Sequence, residues 1–127
     1  MKRKSLILSI FALMFISILT TNVFADYKSF GGSAGFLYAT VSSPNAKNNT
    51  DPNAGIKWNY SSYSNHKMWF RIINSDGSAR GSVLLTTTSS TTQYFATTAT
   101  NGYDYTLQAH RENIIDPSTY VSGTWQP

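Results

Sequence analysis

Period-two alternation decides what this chain can become. Ile56, Trp58 and Tyr60 alternate with Lys57, Asn59 and Ser61, and Met68, Phe70 and Ile72 alternate with Lys67, Trp69 and Arg71. Successive side chains on a strand point to opposite faces, so each run reads as a strand with one buried face. No window holds a sustained 3.6-residue apolar repeat. Helix formers are sparse beyond residue 25: the one glutamate is Glu112, whereas Ser and Thr supply 27 residues, Asn nine and Tyr eight. Thr, Tyr, Trp, Val and Ile fit pleated surfaces, and the balance selects strand over helix. Fifteen aromatic residues in the same stretch separate this polar chain from a disordered one.

The first 25 residues are of a different kind. Lys2, Arg3 and Lys4 precede an apolar run from Leu6 to Leu19. That run falls short of the roughly 20 residues a membrane-spanning helix needs. Thr20, Thr21 and Asn22 end it, and Val23 and Ala25 put small residues where a signal peptidase requires them. The expectation is a signal-peptide helix over 1–25, cleaved between Ala25 and Asp26. The membrane is then met only during export, and the mature protein is secreted; an uncleaved anchor is the alternative. Without the leader, Lys and Arg fall from 10 to 7 while all six acids stay, so the net charge drops from +4 to +1. The basic character belongs to the leader, and no nucleic-acid partner is implied. The remaining 102 residues suit one domain. Cysteine is absent, which excludes disulfides, thiolate metal ligands and a cysteine nucleophile.

Along that domain, residues 26–35 (DYKSFGGSAG) read as a flexible, Gly-rich arm, and 36–127 as the folded part. Residues 36–42 form a first strand. Residues 43–55, with two Pro, four Asn and a final Gly, read as a loop. The strands 56–61 and 67–73 follow, then a turn at Asn74-Ser75-Asp76-Gly77 and a strand with Ala79, Gly81, Val83 and Leu85 on one face. The run 86–92 fits strand or loop. Asn101-Gly102, between 93–100 and 103–112, is the strongest hairpin signal, of the type I′ kind. Tyr103, Tyr105, Leu107 and Ala109 form the apolar face beyond it. Asp116-Pro117 starts a turn, and Thr119–Trp125 a last strand. About seven short strands at this spacing predict an all-β antiparallel sandwich, with a small barrel as the alternative.

The chemistry is thin. A Ser-His-Asp set can be written from His110, with Asp104 or Asp116 and any of fourteen serines, so it selects nothing. No nucleophile elbow is present. Glycoside hydrolysis needs two carboxylates about 5–9 Å apart across a cleft. Asp51, Asp76 and Asp116 fall in turn signals, which leaves Glu112 as the acid without an obvious turn role, paired with Arg111 or another cation. Asn48, Asn49, Asp51 and Asn53 are oxygen-rich but lack calcium-loop spacing. No metal, cofactor or catalytic residue is assigned. Arg111 continues the apolar face and is placed over an aromatic such as Trp125.

A binding surface follows from register. With Ser61 opposite Lys67, Ile56 meets Ile72, Trp58 meets Phe70 and Tyr60 meets Met68, all on one face; a one-residue slip mixes the faces. The other face then carries Trp69 with Lys57, Lys67 and Arg71, together with Asn59 and Ser61. Such a face suits a sugar ring or an anionic wall component. The alternative is that Trp69 is covered by the first strand, the arm or the 43–55 loop and packs as core.

The closing text is the most distinctive. It runs Tyr103-Asp104-Tyr105-Thr106-Leu107-Gln108-Ala109-His110-Arg111-Glu112-Asn113, then Asp116-Pro117-Ser118, then Tyr120-Val121-Ser122-Gly123-x-Trp125. It resembles the ending of a domain-of-unknown-function family of small secreted proteins of Gram-positive bacteria. The resemblance covers the last quarter of the chain. It implies a bacterial source and a cleaved leader, and carries no catalytic residues over. Ser61–Lys67 (SSYSNHK) is similar to lactococcin-type β-sandwich bacteriocins, exported cysteine-free proteins that act on cell-wall precursor. The expected function is a non-catalytic extracellular or cell-surface binding protein, its partner a cell-wall component or another extracellular protein. A bacteriocin-like antibacterial effector is the alternative, and a small wall-polymer hydrolase a distant third.

Overall fold

The computed structural model describes residues 27–127, so the expected leader helix and the Ala25–Asp26 cleavage site lie outside the described residues. Nine strands follow in chain order: β1 (Lys28–Ala34), β2 (Ala39–Thr40), β3 (Asn45–Ala46), β4 (Asn53–Ser61), β5 (Met68–Asn74), β6 (Ala79–Leu85), β7 (Gln93–Ala96), β8 (Asp104–Arg111) and β9 (Thr119–Gln126). They make a four-stranded sheet, ordered β1-β9-β4-β7, and a five-stranded sheet, ordered β2-β8-β5-β6 with β3 also on β8. All pairings are antiparallel. The sheets pack face to face as a small sandwich.

The alternation sets the inner faces. Met68, Phe70 and Ile72 of β5 are fully buried, as are Leu107 and Ala109 of β8, and Phe70 pairs with Ala109 and Ile72 with Leu107. From the other sheet come Phe30, Ile56, Trp58, Val121 and Trp125. The Phe70 ring is the meeting point: Trp58 lies 5.5 Å away and Phe30 5.8 Å, both from the opposite sheet. Each such side chain contributes about 1.5–3 kcal/mol by leaving water. Single backbone bonds pin the sheets at both margins, from the Gly31 amide to the Val41 carbonyl (2.8 Å) and from the Thr98 amide to the Arg80 carbonyl (2.7 Å).

Several expectations are corrected. The flexible arm is strand β1, paired with β9 over its whole length, with Phe30 and Ala34 in the core. The first strand shrinks to β2 and an adjacent buried Val41. The loop 43–55 contains β3 and the start of β4, and it buries Asn45 and Lys47. Lys47 donates to the Pro127 carbonyl and to Asn49 Oδ1, both at 3.1 Å, and burial lowers its pKa against the pull of Asp51. All of 86–92 is loop, as β6 ends at Leu85 and β7 begins at Gln93.

Tyr60 was expected inside and is exposed, because the β4–β9 register shifts between Trp58 and Tyr60. That bulge turns the Tyr60 carbonyl toward the Trp58 indole, whose N–H donates to it at 2.7 Å. Tyr103 is exposed as well, outside the end of β8. Asn101-Gly102 does not close a hairpin: β7 belongs to one sheet and β8 to the other. Only Gly102 has positive φ (91°), which excludes type I′. The turn crosses between sheets and is held to the 45–47 segment, where the Gly102 amide donates to the Lys47 carbonyl. Asn74–Gly77 does close a hairpin, between β5 and β6, with Gly77 at φ 84°.

Candidate binding surface

The five residues expected on one surface are split between two. β4 and β5 do not pair: β4 lies between β9 and β7, and β5 between β8 and β6. Lys57 and Asn59 therefore sit on the four-stranded sheet, and Lys67, Trp69 and Arg71 on or beside the five-stranded one. Trp58 and Phe70, expected side by side in one sheet, meet instead across the core. Alternation specifies which face of each strand is apolar. It is satisfied equally by a hairpin and by two strands facing each other, and the 62–67 link is long enough to cross between sheets.

What remains together is a strip across the five-stranded sheet. Trp69 stands in register between Leu84 of β6 and His110 of β8. All three are half-buried. The Tyr38 ring meets His110 edge-on at 4.1 Å. The Arg71 guanidinium lies 3.7 Å above the centre of that same ring. Arg71 Nε donates to Gln108 Oε1 at 2.9 Å, and Gln108 Nε2 donates to Thr40 Oγ1 at 3.4 Å. Burial raises the Tyr38 pKa, with Arg71 opposing, so its hydroxyl stays neutral beside the cation. Arg71 is thus held by a ring on one side and an amide on the other. Its terminal nitrogens make no hydrogen bond among the described residues and remain available to an anion. Lys67 pairs with Glu112 at 3.9 Å, with both side chains about half exposed, a contact worth little in water.

The acids behave largely as turn residues. Asp51 accepts the Asn53 amide at 2.9 Å and Asp76 the Ser78 amide at 2.8 Å. Glu112 has the cation it was expected to have, in Lys67 rather than Arg111. Arg111 does not reach Trp125. Its Nε donates to the Asn113 carbonyl and a terminal nitrogen to that of Ile114, because the chain turns back over it just past β8. Asn49, in the oxygen-rich run, is spent on Lys47 and the Asp51 amide.

One constellation was not foreseen. His66 is buried, stacked on Tyr63 at 4.6 Å, with Nδ1 2.7 Å from Thr119 Oγ1 and Nε2 3.7 Å from Asp116 Oδ1. The composition resembles a nucleophile-base-acid set, but Thr119 is fully buried and its hydroxyl donates to the Pro117 carbonyl. A substrate cannot reach that oxygen. The group ties the 62–67 link to the 112–118 loop. A shallow cleft of about 330 Å³ at the far end of the sandwich is lined by Pro44, Ile73, Asn74, Asp104 and Tyr105 among others. Also unforeseen is a set of exposed tyrosines on the four-stranded sheet: Tyr27, Tyr60, Tyr94 and Tyr120 are far apart in sequence and are brought together by pairing alone. No protein-family model, curated protein or solved structure matches this chain.

Proposed function

We propose that the protein is a secreted, non-catalytic binding protein acting at or near a bacterial surface, and that it holds an anionic wall component on the Trp69–Arg71 strip. The observation that carries this reading is Arg71, preorganised by Tyr38 and Gln108 with its outer nitrogens free, two residues along the strand from the half-buried Trp69 on the same face. A planar cation beside an aromatic suits a phosphate or carboxylate on a ring-bearing polymer. Lys67, just before the strand, is paired with Glu112. The leader-like start and the likeness of residues 103–125 to secreted proteins of Gram-positive bacteria support the location.

Co-sedimentation with purified Gram-positive cell walls tests the reading. Wild type is expected in the pellet at low salt and in the supernatant at high salt, because screening weakens an exposed charge contact. Trp69→Ala and Arg71→Gln are expected to abolish pelleting while lowering stability by about 1 kcal/mol or less. Wild type that never pellets, or variants that pellet as wild type does, would sink the idea. A zone of growth inhibition around purified protein would move the function to the antibacterial effector.

A further inference from the structure

We propose that the outward face of the four-stranded sheet is a second ligand surface, and that it takes an extended, uncharged polysaccharide. Its outward positions follow from the register. Gly55 lies opposite both Tyr94 and Gln126; Lys57 opposite Thr124, and Thr124 opposite Ser29; Tyr60 opposite Ser122, and Ser122 opposite Gly31; Tyr120 opposite Ser33. Two tyrosine pairs bracket this field. The Tyr27 and Tyr94 hydroxyls meet at 3.2 Å, and the Tyr60 and Tyr120 rings stand 6.1 Å apart. The four are 42–60 % exposed, large values for aromatic side chains that have neighbours within reach.

Glycines let these side chains approach the sheet closely. A Cβ on Gly55 would sit 3.1 Å from the Tyr94 ring, and one on Gly31 would sit 2.7 Å from the Tyr120 hydroxyl. Both tyrosines occupy space over the backbone that any other residue would fill. Between the pairs lie Ser29, Ser122 and Thr124, short hydroxyls on a pleated floor. From the buried Gln126 to Ser122 the strand advances about 13 Å, the length of two to three sugar rings of a polymer laid along it.

The chemistry selects the occupant. Lys57 is the one charged side chain among these outward positions, and Asp51 acts on the Tyr27 end of the face. A strongly charged ligand finds little to pair with. A sugar chain fits both parts: its C–H faces pack on the negative faces of aromatic rings, and its hydroxyls exchange hydrogen bonds with serine, threonine and tyrosine. The surface lies on the side of the sandwich away from Trp69, so it stands or falls independently of the anion-binding strip.

Native gel electrophoresis through soluble neutral polysaccharides (mixed-linkage β-glucan, hydroxyethylcellulose and glycol chitin as the panel) tests it. Retardation by at least one is expected. It should persist in about 0.5 M salt, where the Debye length is only a few ångströms, and persist in Trp69→Ala. Tyr60→Ser with Tyr120→Ser should weaken it roughly tenfold or more, the scale of losing aromatic stacking. Tyr60→Phe with Tyr120→Phe keeps the rings and should retain most of it, which separates lost stacking from lost folding. Absence of retardation across the panel, or retardation indifferent to the serine variants, overturns the proposal. So does a dimer in sedimentation velocity that the serine variants abolish, which would assign the face to a second copy.

Discussion

The two sheets reach one core by opposite means. In the five-stranded sheet, β5 and β8 alternate without interruption, and large side chains occupy both faces. One strand glycine, Gly81, is present, where β6 comes against the Ala96 carbonyl at the margin. Each sheet has one register shift, at Trp58/Tyr60 in the four-stranded sheet and at Ile72/Ile73 in the five-stranded one, but the four-stranded sheet has four strand glycines, Gly31, Gly32, Gly55 and Gly123. Each glycine admits a neighbour: Val41 at Gly32, Tyr94 at Gly55, Tyr120 at Gly31, and the Lys57 carbonyl with the Phe30 ring at Gly123. One sheet is specified by the side chains it has. The other is specified by the side chains it lacks.

That contrast breaks most sharply at Gly123. A Cβ there would run into the Lys57 carbonyl and come within 2.9 Å of the Phe30 ring. Backbone cannot yield cheaply in the middle of a three-strand contact. Gly123→Ala is expected to lose about 3 kcal/mol or more, at the exceptional end for a point substitution. Gly77, at the β5–β6 turn, has φ 84° and open space around it, so Gly77→Ala should lose only about 1–2 kcal/mol, the left-handed penalty alone. Urea melts of the two variants decide this. Equal losses would mean that the strand glycine is no more constrained than the turn glycine.

The same contrast explains what could be read from the chain. β5 and β8 were legible because alternation there is uninterrupted: Met68, Phe70, Ile72, Leu107 and Ala109 were all placed inside, and all are. β1 was not, because Gly31-Gly32-x-x-Gly35 carries the local signature of a loop, and only the strand beside it reveals why it has no side chains. Tyr60 was misplaced because a bulge adds one residue and leaves no mark on the pattern. The candidate surface failed where it required a partner strand. Trp69 and Arg71 share a strand, so their common face was certain, whereas Lys57 and Asn59 joined them only through a hairpin that does not form. Tyr38 and Gln108, which hold Arg71, could not be named from sequence because they lie 33 and 37 residues away.

A smaller effect sharpens the comparison on the glycine-backed side. Tyr94 pairs directly with Gly55 and covers it. Aromatic residues opposite a strand glycine shield its backbone and restore part of the lost packing. Tyr94→Ala should therefore lose about 0.5–1 kcal/mol despite the exposure of the ring, and amide exchange should quicken at Gly55 and Ile56. A neutral substitution would mean that the tyrosine merely rests on the sheet.

The smallest expected effect belongs to the other sheet and appears only in acid. At the β5–β6 turn, Asp76 accepts hydrogen bonds from the Ser78 side chain and amide, which with Asn74 and Arg80 hold its carboxyl below the ordinary 3.8. A folded pKa below the unfolded one means that the unfolded chain takes up the proton first. The stabilisation is thus fully present above the unfolded value and is lost as pH falls through the folded one. Asp76 is exposed, so the contribution is screened and small. It should nevertheless be local: between about pH 5 and pH 2 the Ser78 amide should lose protection ahead of β8, and Asp76→Asn, which keeps an acceptor but cannot titrate, should flatten that dependence. Hydrogen exchange on wild type and variant across this range checks it. If the acid loss begins instead in the four-stranded sheet, or Asp76→Asn leaves the Ser78 profile unchanged, the turn carboxylate is not what ties the side-chain-built sheet to pH.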